Sequence, residues 1–174
     1  GTLITYEDTN MEAPLISGIA FSRDEAKVTV RGVPDKPGIA HRLLGDVAAA
    51  NINVDMIVQN VGADGTTDFT FTVPRGDYKK ALDIVKKTAG QLAAREVTGD
   101  DKIAKLSVVG VGMRSHAGIA SQMFKTLADE SINIQMISTS EIKISVVVEE
   151  KYLELAVRTL HSSFGLDRPA TAAK

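Results

Sequence analysis

The sequence predicts an α+β protein of two small βαββαβ domains, each with an antiparallel sheet and two helices on one of its faces. Two observations support this fold class: the chain contains an internal repeat, and each copy alternates between the residue spacing of strands and that of helices. A third observation concerns connectivity, because the second copy is one strand short and the strand-like segment left over precedes the first copy. We therefore expect the first domain to be inserted within the second.

The internal repeat appears when the sequence is shifted by 80 positions, which aligns residues 28–57 with residues 108–137 without a gap. The matching positions are Gly32 with Gly112, Gly38-Ile39-Ala40 with Gly118-Ile119-Ala120, Ile52-Asn53 with Ile132-Asn133, and Met56-Ile57 with Met136-Ile137. Two copies with so long a period indicate two homologous domains rather than an array of short repeats.

Each element of the first copy follows from its pattern of apolar residues. AKVTVRG is short and β-branched and predicts a strand, and GIAHRLLGDVAAA has apolar residues at helical spacing. NVDMIVQN and DFTFTVPR predict two strands joined by the Asp64-Gly65 turn. DYKKALDIVKKTAGQLA predicts a helix capped by Asp77, and REVTG a closing strand. The order is βαββαβ.

The second copy repeats this order through KLSVVGV, GIASQMFKTLADES, NIQMIST, EIKISVVVEE and YLELAVRTLHSSF, and then lacks its last strand. We expect PLISGIAF, residues 14–21, to complete its sheet. The predicted ranges are a linker at 1–13, a first domain at 24–100, a second domain at 14–23 plus 101–166, and a flexible tail at 167–174. Open sheet edges and a partly apolar sheet face predict at least a dimer.

Composition narrows the functional classes. A net charge of -2 with interspersed signs provides no basic face for nucleic acid or a membrane surface. The 174 residues contain no cysteine, which excludes disulfides and Cys-based zinc sites and fits a reducing compartment. The apolar runs are far shorter than the roughly 20 residues that span a bilayer. We expect a cytoplasmic protein.

Catalysis and metal binding find little support in the residues. Ser115 and His116 are neighbours in a turn, where a hydroxyl and an imidazole cannot easily form the hydrogen bond of a nucleophile and its base. The three histidines, His41, His116 and His161, lie on separate predicted elements without metal-ligand spacing. Solvated or capping roles are favoured for His41 and His161.

Nucleotide and RNA binding are disfavoured in the same way. GVGMRSHAG has serine where the dinucleotide fingerprint needs its third glycine, and no Lys-Ser or Lys-Thr follows Gly118 as in a P-loop. Phe69 and Phe71 alternate on one strand, as stacking aromatics would, but without basic surroundings. Core packing is the favoured interpretation of both.

The remaining candidate is the strand, loop and helix start that occurs in both copies. Amide groups and the positive helix end at residues 38–40 and 118–120 suit a carboxylate, and glycine permits close approach. A free amino acid offers that carboxylate, and its ammonium group would need acceptors such as Asp35 or Ser115. The alternative, that both glycines only serve the turn into the helix, is equally compatible with the sequence.

The segments PDKPGIA, NINVDMIVQN and GVGMRSHAGIASQMFKTLADESINIQMISTSEIKISVVVEE carry a family resemblance. Over residues 11–166 the chain resembles the tandem ACT domains of aspartate kinase, which are ferredoxin-like, and GTLITYEDTNME resembles the end of the kinase domain and its linker. The resemblance implies a regulatory region without catalytic residues, metal or cofactor of its own. The ATP and Mg²⁺ of the family belong to the kinase domain, which makes 4-phospho-L-aspartate from ATP and L-aspartate, the first step toward lysine, threonine and methionine.

The resemblance also implies two effector pockets, each closed by a second chain. A threonine-like pocket would use Asp35, Lys36, Pro37, Gly38, Ile39, Ala40 and Gln59, with Asn133, Ile134 and Gln135 of the partner subunit. A lysine-like pocket would use Met113, Ser115, His116, Gly118 and Ile119, with Asn53, Val54 and Asp55 of the partner subunit and with Ser140 and Glu141. Acidic Asp55 suits an ε-ammonium group, whereas neutral Gln135 suits threonine. A solvated strand end is the other interpretation of Asp55.

The expected partners are therefore threonine, lysine, a second copy of the chain, and the kinase catalytic domain or α subunit. Feedback inhibition would follow if the effectors bind one arrangement of the dimer better than another. A free-standing amino-acid-responsive regulator with two ACT domains is the alternative. An ACT-like enzyme would need a convergent acid/base pair, and the sequence offers none.

Overall fold

The computed structural model of the protein describes residues 15–111 and 116–166. These residues form two compact units: one is continuous, Arg23–Ile103, and the other joins the residues up to Ser22 to those from Ala104 onward. The first unit is thus inserted in the second, as the strand count predicted. The linker expected at 1–13 and the tail expected at 167–174 lie outside the described residues.

Eight strands and four α-helices occur in the described part of the chain, with short 3-10 turns before two of the helices. In chain order they are β1 (Leu15–Ser22), β2 (Ala26–Pro34), α1 (Ile39–Ala49), β3 (Ile57–Val61), β4 (Thr66–Val73), α2 (Tyr78–Gln91), β5 (Glu96–Asp100), β6 (Ile103–Val111), α3 (His116–Asp129), β7 (Met136–Thr139), β8 (Lys143–Glu149) and α4 (Leu153–Ser163), and the 3-10 turns are Arg75–Asp77 and Glu150–Tyr152.

The first unit has a four-stranded antiparallel sheet in the order β3-β4-β2-β5. Alternate residues of β2 and β4 face α1 and α2, because side chains along a strand point to opposite faces of the sheet. Phe69 and Phe71 are buried in this layer, which confirms the core role favoured for them. The core consists mainly of Val28, Val30, Leu43, Val47, Phe69, Phe71, Ala81, Val85 and Ala89.

The second unit has the sheet order β1-β6-β8-β7. Strand β1 pairs with β6 in antiparallel register, for example Phe21 opposite Leu106. The segment ahead of the first domain thus supplies the strand that the second copy lacks. The core of this unit consists mainly of Ala104, Leu106, Val108, Ile119, Met123, Leu127, Ile144, Val146, Val148, Leu153, Ala156 and Leu160.

Two local predictions require correction. Helix α3 begins at His116, before the predicted start at Gly118. In the first copy the left-handed Gly38 makes α1 begin after it, and Pro37 holds residue 36 extended. In the second copy the equivalent Gly118 lies inside α3, and the strong helix former Ala117 stands in place of the proline. Asp77 is the N-cap of α2, but its side chain makes no capping hydrogen bond. A 3-10 turn leads directly into α2, so Asp77 does not have the extended backbone conformation that side-chain capping requires.

None of the helices in residues 15–111 and 116–166 is long and apolar enough to cross a membrane.

Candidate functional site

The first predicted loop connects β2 to α1 through a left-handed glycine. Gly38 has φ 87° and immediately precedes α1, a conformation that residues with a Cβ rarely adopt. No side chain caps the helix, so the Ala40 and His41 N–H groups are left to a ligand or to water, whereas the Ile39 N–H donates to the Lys36 oxygen at 3.3 Å. The Arg42 N–H donates to the Gly38 oxygen at 3.0 Å, which fixes the first turn behind the loop.

A cavity of about 590 Å³ lies against this helix start. Its walls combine apolar side chains with the cationic Lys36 and Arg42 and with His41, and its lining includes no acidic residue. Together with the positive end of α1, this composition favours a bound carboxylate. The lining residues are Pro34, Lys36, Pro37, Gly38, Ile39, His41, Arg42, Gln91, Leu92 and Ala93.

The cavity includes only part of the residue set expected for the first pocket. Lys36, Pro37, Gly38 and Ile39 line it, whereas Asp35, Ala40 and Gln59 do not. Arg42 and the end of α2 also line the cavity and were not among the predicted site residues. Arg42 lies one helical turn after Gly38, so the predicted helix already places it near the loop. The approach of residues 91–93, in contrast, depends on packing between helices.

Gln59 lies on β3, the edge strand of the sheet, opposite Phe69 of β4. Its side-chain amide donates to the Thr67 hydroxyl at 3.2 Å, and this hydroxyl donates to the Asn60 oxygen at 3.0 Å. The amide is therefore oriented by its own hairpin while the side chain remains exposed.

The β3–β4 hairpin also contacts the loop between β2 and α1. The Asp35 N–H donates to the Gly65 oxygen at 3.0 Å, and Gly65 lies in the turn between β3 and β4 with φ 80°. Gln59 and the start of the loop are thus attached to one structural unit, which sets the distance between them.

The second predicted loop is described only from its helix onward. Met113 and Ser115 lie outside the described residues, and α3 begins at His116. Gly118 lies in the first turn of α3 and is exposed, whereas Ile119 is buried in the core, as Ile39 is in the first copy. Helix α3 begins three residues earlier in the repeat than α1, because Ile39, the first residue of α1, corresponds to Ile119.

The segments expected to close the partner's pockets occupy equivalent positions in the two units. Asn53, Val54 and Asp55 lie in the extended connection before β3, and residues 133–135 lie in the same connection before β7. The Asp55 N–H donates to the Thr72 oxygen at 3.0 Å, and the Gln135 N–H donates to the Val147 oxygen at 2.8 Å. Each segment therefore continues the edge of its sheet.

Ser140 and Glu141 lie in the exposed turn between β7 and β8, where the Ser140 N–H donates to the Lys143 oxygen at 2.8 Å.

Comparison with known proteins identifies both units. The ACT domain family matches residues 28–90 and again residues 106–164. A crystal structure of aspartokinase alpha and beta subunits superposes with a TM-score of 0.81 at 59% sequence identity, covering 86% of this chain and 99% of that one. This chain belongs to the aspartate kinase family. The regulatory subunit of aspartate kinase from Thermus thermophilus superposes with a TM-score of 0.80 at 36% identity, covering 86% of this chain and 98% of that one. The chain thus corresponds to an aspartate kinase regulatory region.

Full-length aspartate kinases show the same relationship. The aspartokinase of Pseudomonas aeruginosa is 69% identical over 172 residues, which are 98% of this chain and 42% of that protein. The aspartokinase of Helicobacter pylori is 49% identical over 172 residues, 97% of this chain and 42% of that protein. The chain therefore spans about two fifths of the length of the curated relatives that it matches.

In the described part of this aspartate kinase regulatory region, no three His, Asp or Glu side chains come together as a metal site would require.

Proposed function

We propose that this region binds threonine and lysine and, through their binding, inhibits the aspartate kinase to which it belongs. The inhibited reaction is the ATP- and Mg²⁺-dependent phosphorylation of L-aspartate to 4-phospho-L-aspartate, ahead of lysine, threonine and methionine. The observation that carries the proposal is the arrangement of strand, loop and helix start that occurs once in each unit. Each helix start offers amide groups and a positive dipole end to the carboxylate of a free amino acid.

The first loop is proposed as the threonine pocket. Lys36, Arg42 and the start of α1 attract the carboxylate, and the neutral amide of Gln59 suits a hydroxyl group. The remaining residues on this chain are Asp35, Pro37, Gly38, Ile39 and Ala40. Asn133, Ile134 and Gln135 of the partner subunit close the pocket without adding a charge.

The second loop is proposed as the lysine pocket, formed by Met113, Ser115, His116, Gly118 and Ile119 with Ser140 and Glu141. Asn53, Val54 and Asp55 of the partner subunit complete it. Asp55 stands where the other copy has Gln135, so the two partner segments differ by one acidic group. An ε-ammonium group that leaves water requires such a partner, because an unpaired charge is costly to bury.

Regulation requires that an effector binds one arrangement of the assembly better than another. Pockets shared by two chains provide this difference, because each ligand contacts both chains only in one arrangement. A coupling free energy of about 1–3 kcal/mol changes affinity by roughly 5- to 150-fold. The proposed assembly is a homodimer of the ACT region that acts on the kinase catalytic domain or α subunit.

Titration calorimetry of the 174-residue chain with threonine and lysine, separately and mixed, tests the proposal. We expect both amino acids to bind at millimolar concentrations or below. Gln59→Ala and Ala40→Thr are expected to weaken threonine binding without altering the far-UV circular dichroism. Absence of binding by both amino acids would refute the assignment, and unchanged threonine affinity in both variants would move that site elsewhere.

A further inference from the structure

A β-bulge interrupts β2 immediately before the first loop. Val30 pairs with Phe69 and Val33 with Thr67, so β2 carries one more residue than β4 between these pairs. Gly32 occupies the bulge with φ 69°, and its N–H donates to the Asp68 carboxylate at 2.8 Å. The bulge thus determines the direction in which the chain leaves β2 toward the loop.

Arg95 lies directly across this bulge. Its N–H donates to the Arg31 oxygen at 2.8 Å, which anchors its backbone to β2. A Cβ atom added to Gly32 would lie 2.8 Å from the Arg95 Cβ and 3.0 Å from its Nε. The side chain therefore occupies the space that a larger residue at position 32 would need.

The guanidinium group of Arg95 reaches the turn between β3 and β4. Its Nη2 lies 3.3 Å from the Asp64 Oδ2, and both side chains are largely exposed. The other carboxylate oxygen of Asp64 accepts hydrogen bonds from the Thr66 hydroxyl at 2.7 Å and the Thr66 N–H at 3.1 Å. Asp64 therefore links Arg95 to the β3–β4 turn. In the same turn, the Gly65 oxygen accepts the hydrogen bond from the Asp35 N–H.

We infer that Arg95 and Asp64 are positioning residues for threonine binding: their ion pair fixes the β3–β4 turn against the β2 bulge and thereby the separation of Gln59 from the first loop. This inference rests on the proposed function of that loop. Neither residue touches the cavity beside α1. Their effect is transmitted by the backbone hydrogen bond between Gly65 and Asp35.

A second ion pair on the same sheet provides a matched control. Arg31 and Glu96 pair across β2 and β5 at 3.4 Å, with side chains about as exposed as those of Arg95 and Asp64. This pair does not contact the β3–β4 turn, so its loss removes a surface ion pair of the same kind without releasing the loop.

The test compares threonine and lysine dissociation constants of the full chain and its variants. Arg95→Met keeps an apolar stem over Gly32 but removes the charge, and Asp64→Asn keeps an acceptor for Thr66. We expect either variant to weaken threonine binding about two- to fivefold, the double variant to be no worse than the single ones, and Arg95→Lys to recover part of the affinity. Arg31→Met and all lysine affinities should remain unchanged.

Amide hydrogen exchange at Asp35 gives a second measurement that needs no ligand. Its exchange should accelerate in Arg95→Met and stay unchanged in Arg31→Met, because only the former releases the Gly65 turn. Unchanged threonine affinity and unchanged Asp35 exchange in Arg95→Met overturn the positioning role alone. A wild-type chain that binds lysine but no threonine overturns the proposed threonine pocket, and the positioning role falls with it. Equal losses of threonine and lysine affinity overturn it too, as they indicate general destabilisation.

Discussion

The hydroxyl group of Thr88 lies 2.8 Å from the Asp46 Oδ2 and joins α2 to α1. Thr88 is 2% exposed, so its side chain reaches the carboxylate from within the helix layer. A hydrogen bond to a charged acceptor contributes more than one between neutral groups, typically about 1.5–3 kcal/mol.

Thr88→Val is therefore expected to lower the free energy of unfolding by about 1–2 kcal/mol, because it keeps the shape and removes the donor to Asp46. Urea denaturation measures the difference. Thr159→Val is the control, since its hydroxyl donates only within its own helix, to Leu155 or Ala156. Equal effects of the two variants would contradict a stabilising link between helices.

Gly32→Ala is expected to destabilise the chain by about 1–3 kcal/mol, because alanine is strained at φ 69° and its Cβ displaces Arg95. Thermal unfolding measures the loss. Gly90→Ala, in the last turn of α2 with open space around the added carbon, is expected to stabilise by up to about 1 kcal/mol. A neutral or stabilising effect of Gly32→Ala would show that the bulge is not constrained.

Asp55→Asn is expected to weaken lysine binding about tenfold or more, since the ε-ammonium group loses its charged partner. The affinity for norleucine, which lacks the ammonium group, should change little. Calorimetry with both ligands therefore separates a charge effect from a distorted pocket, and threonine serves as the control ligand. A parallel loss of lysine and norleucine affinity would argue against Asp55 as the selecting residue.

The pH dependence of the Asp64 contribution has a defined direction. Hydrogen bonds from the Thr66 hydroxyl and then the Thr66 N–H lower the pKa of Asp64 below its ordinary value of 3.8, with a smaller contribution from Arg95. A carboxyl group whose pKa is lowered by folding stabilises the fold at pH values above its pKa in the unfolded state. This contribution is lost as the pH falls through its pKa in the folded state.

The difference in unfolding free energy between the wild-type chain and Asp64→Asn should consequently be constant from neutral pH down to about pH 5 and shrink below about pH 4. Urea titrations at a series of pH values measure it. A difference that is largest in acid would contradict the direction of the pKa shift.

The order of elements was predictable because each copy repeats the apolar spacing of the other. Buried residues such as Leu43, Val47 and Phe71 recur at strand or helix periods, and this periodicity depends on the core alone. The missing strand was found for the same reason: a sheet requires its edge partner, and PLISGIAF was the segment without another role.

The local geometry of the site was less predictable, because it depends on residues far apart in the sequence. Nothing around Arg95 indicates that its side chain crosses Gly32, since the contact exists only after β5 has paired with β2. The early start of α3 accompanies Ala117 in place of proline and a helical Gly118 in place of the left-handed Gly38, a difference that the alignment with residues 38–40 obscured. Asp77 shows the converse case, a favourable cap residue whose backbone lacks the capping conformation.

The pairing of β1 with β6 affects the order in which the chain folds during synthesis. The inserted unit is continuous and leaves the ribosome complete before β6 emerges, so β1 waits without its partner strand while the inserted unit forms. The first and last strands of the inserted unit, β2 and β5, are neighbours in its sheet, with Lys27 opposite Asp100. Folding of the inserted unit therefore brings the end of β1 close to the start of β6. This removes most of the loop-closure entropy that would otherwise oppose the pairing of these two strands.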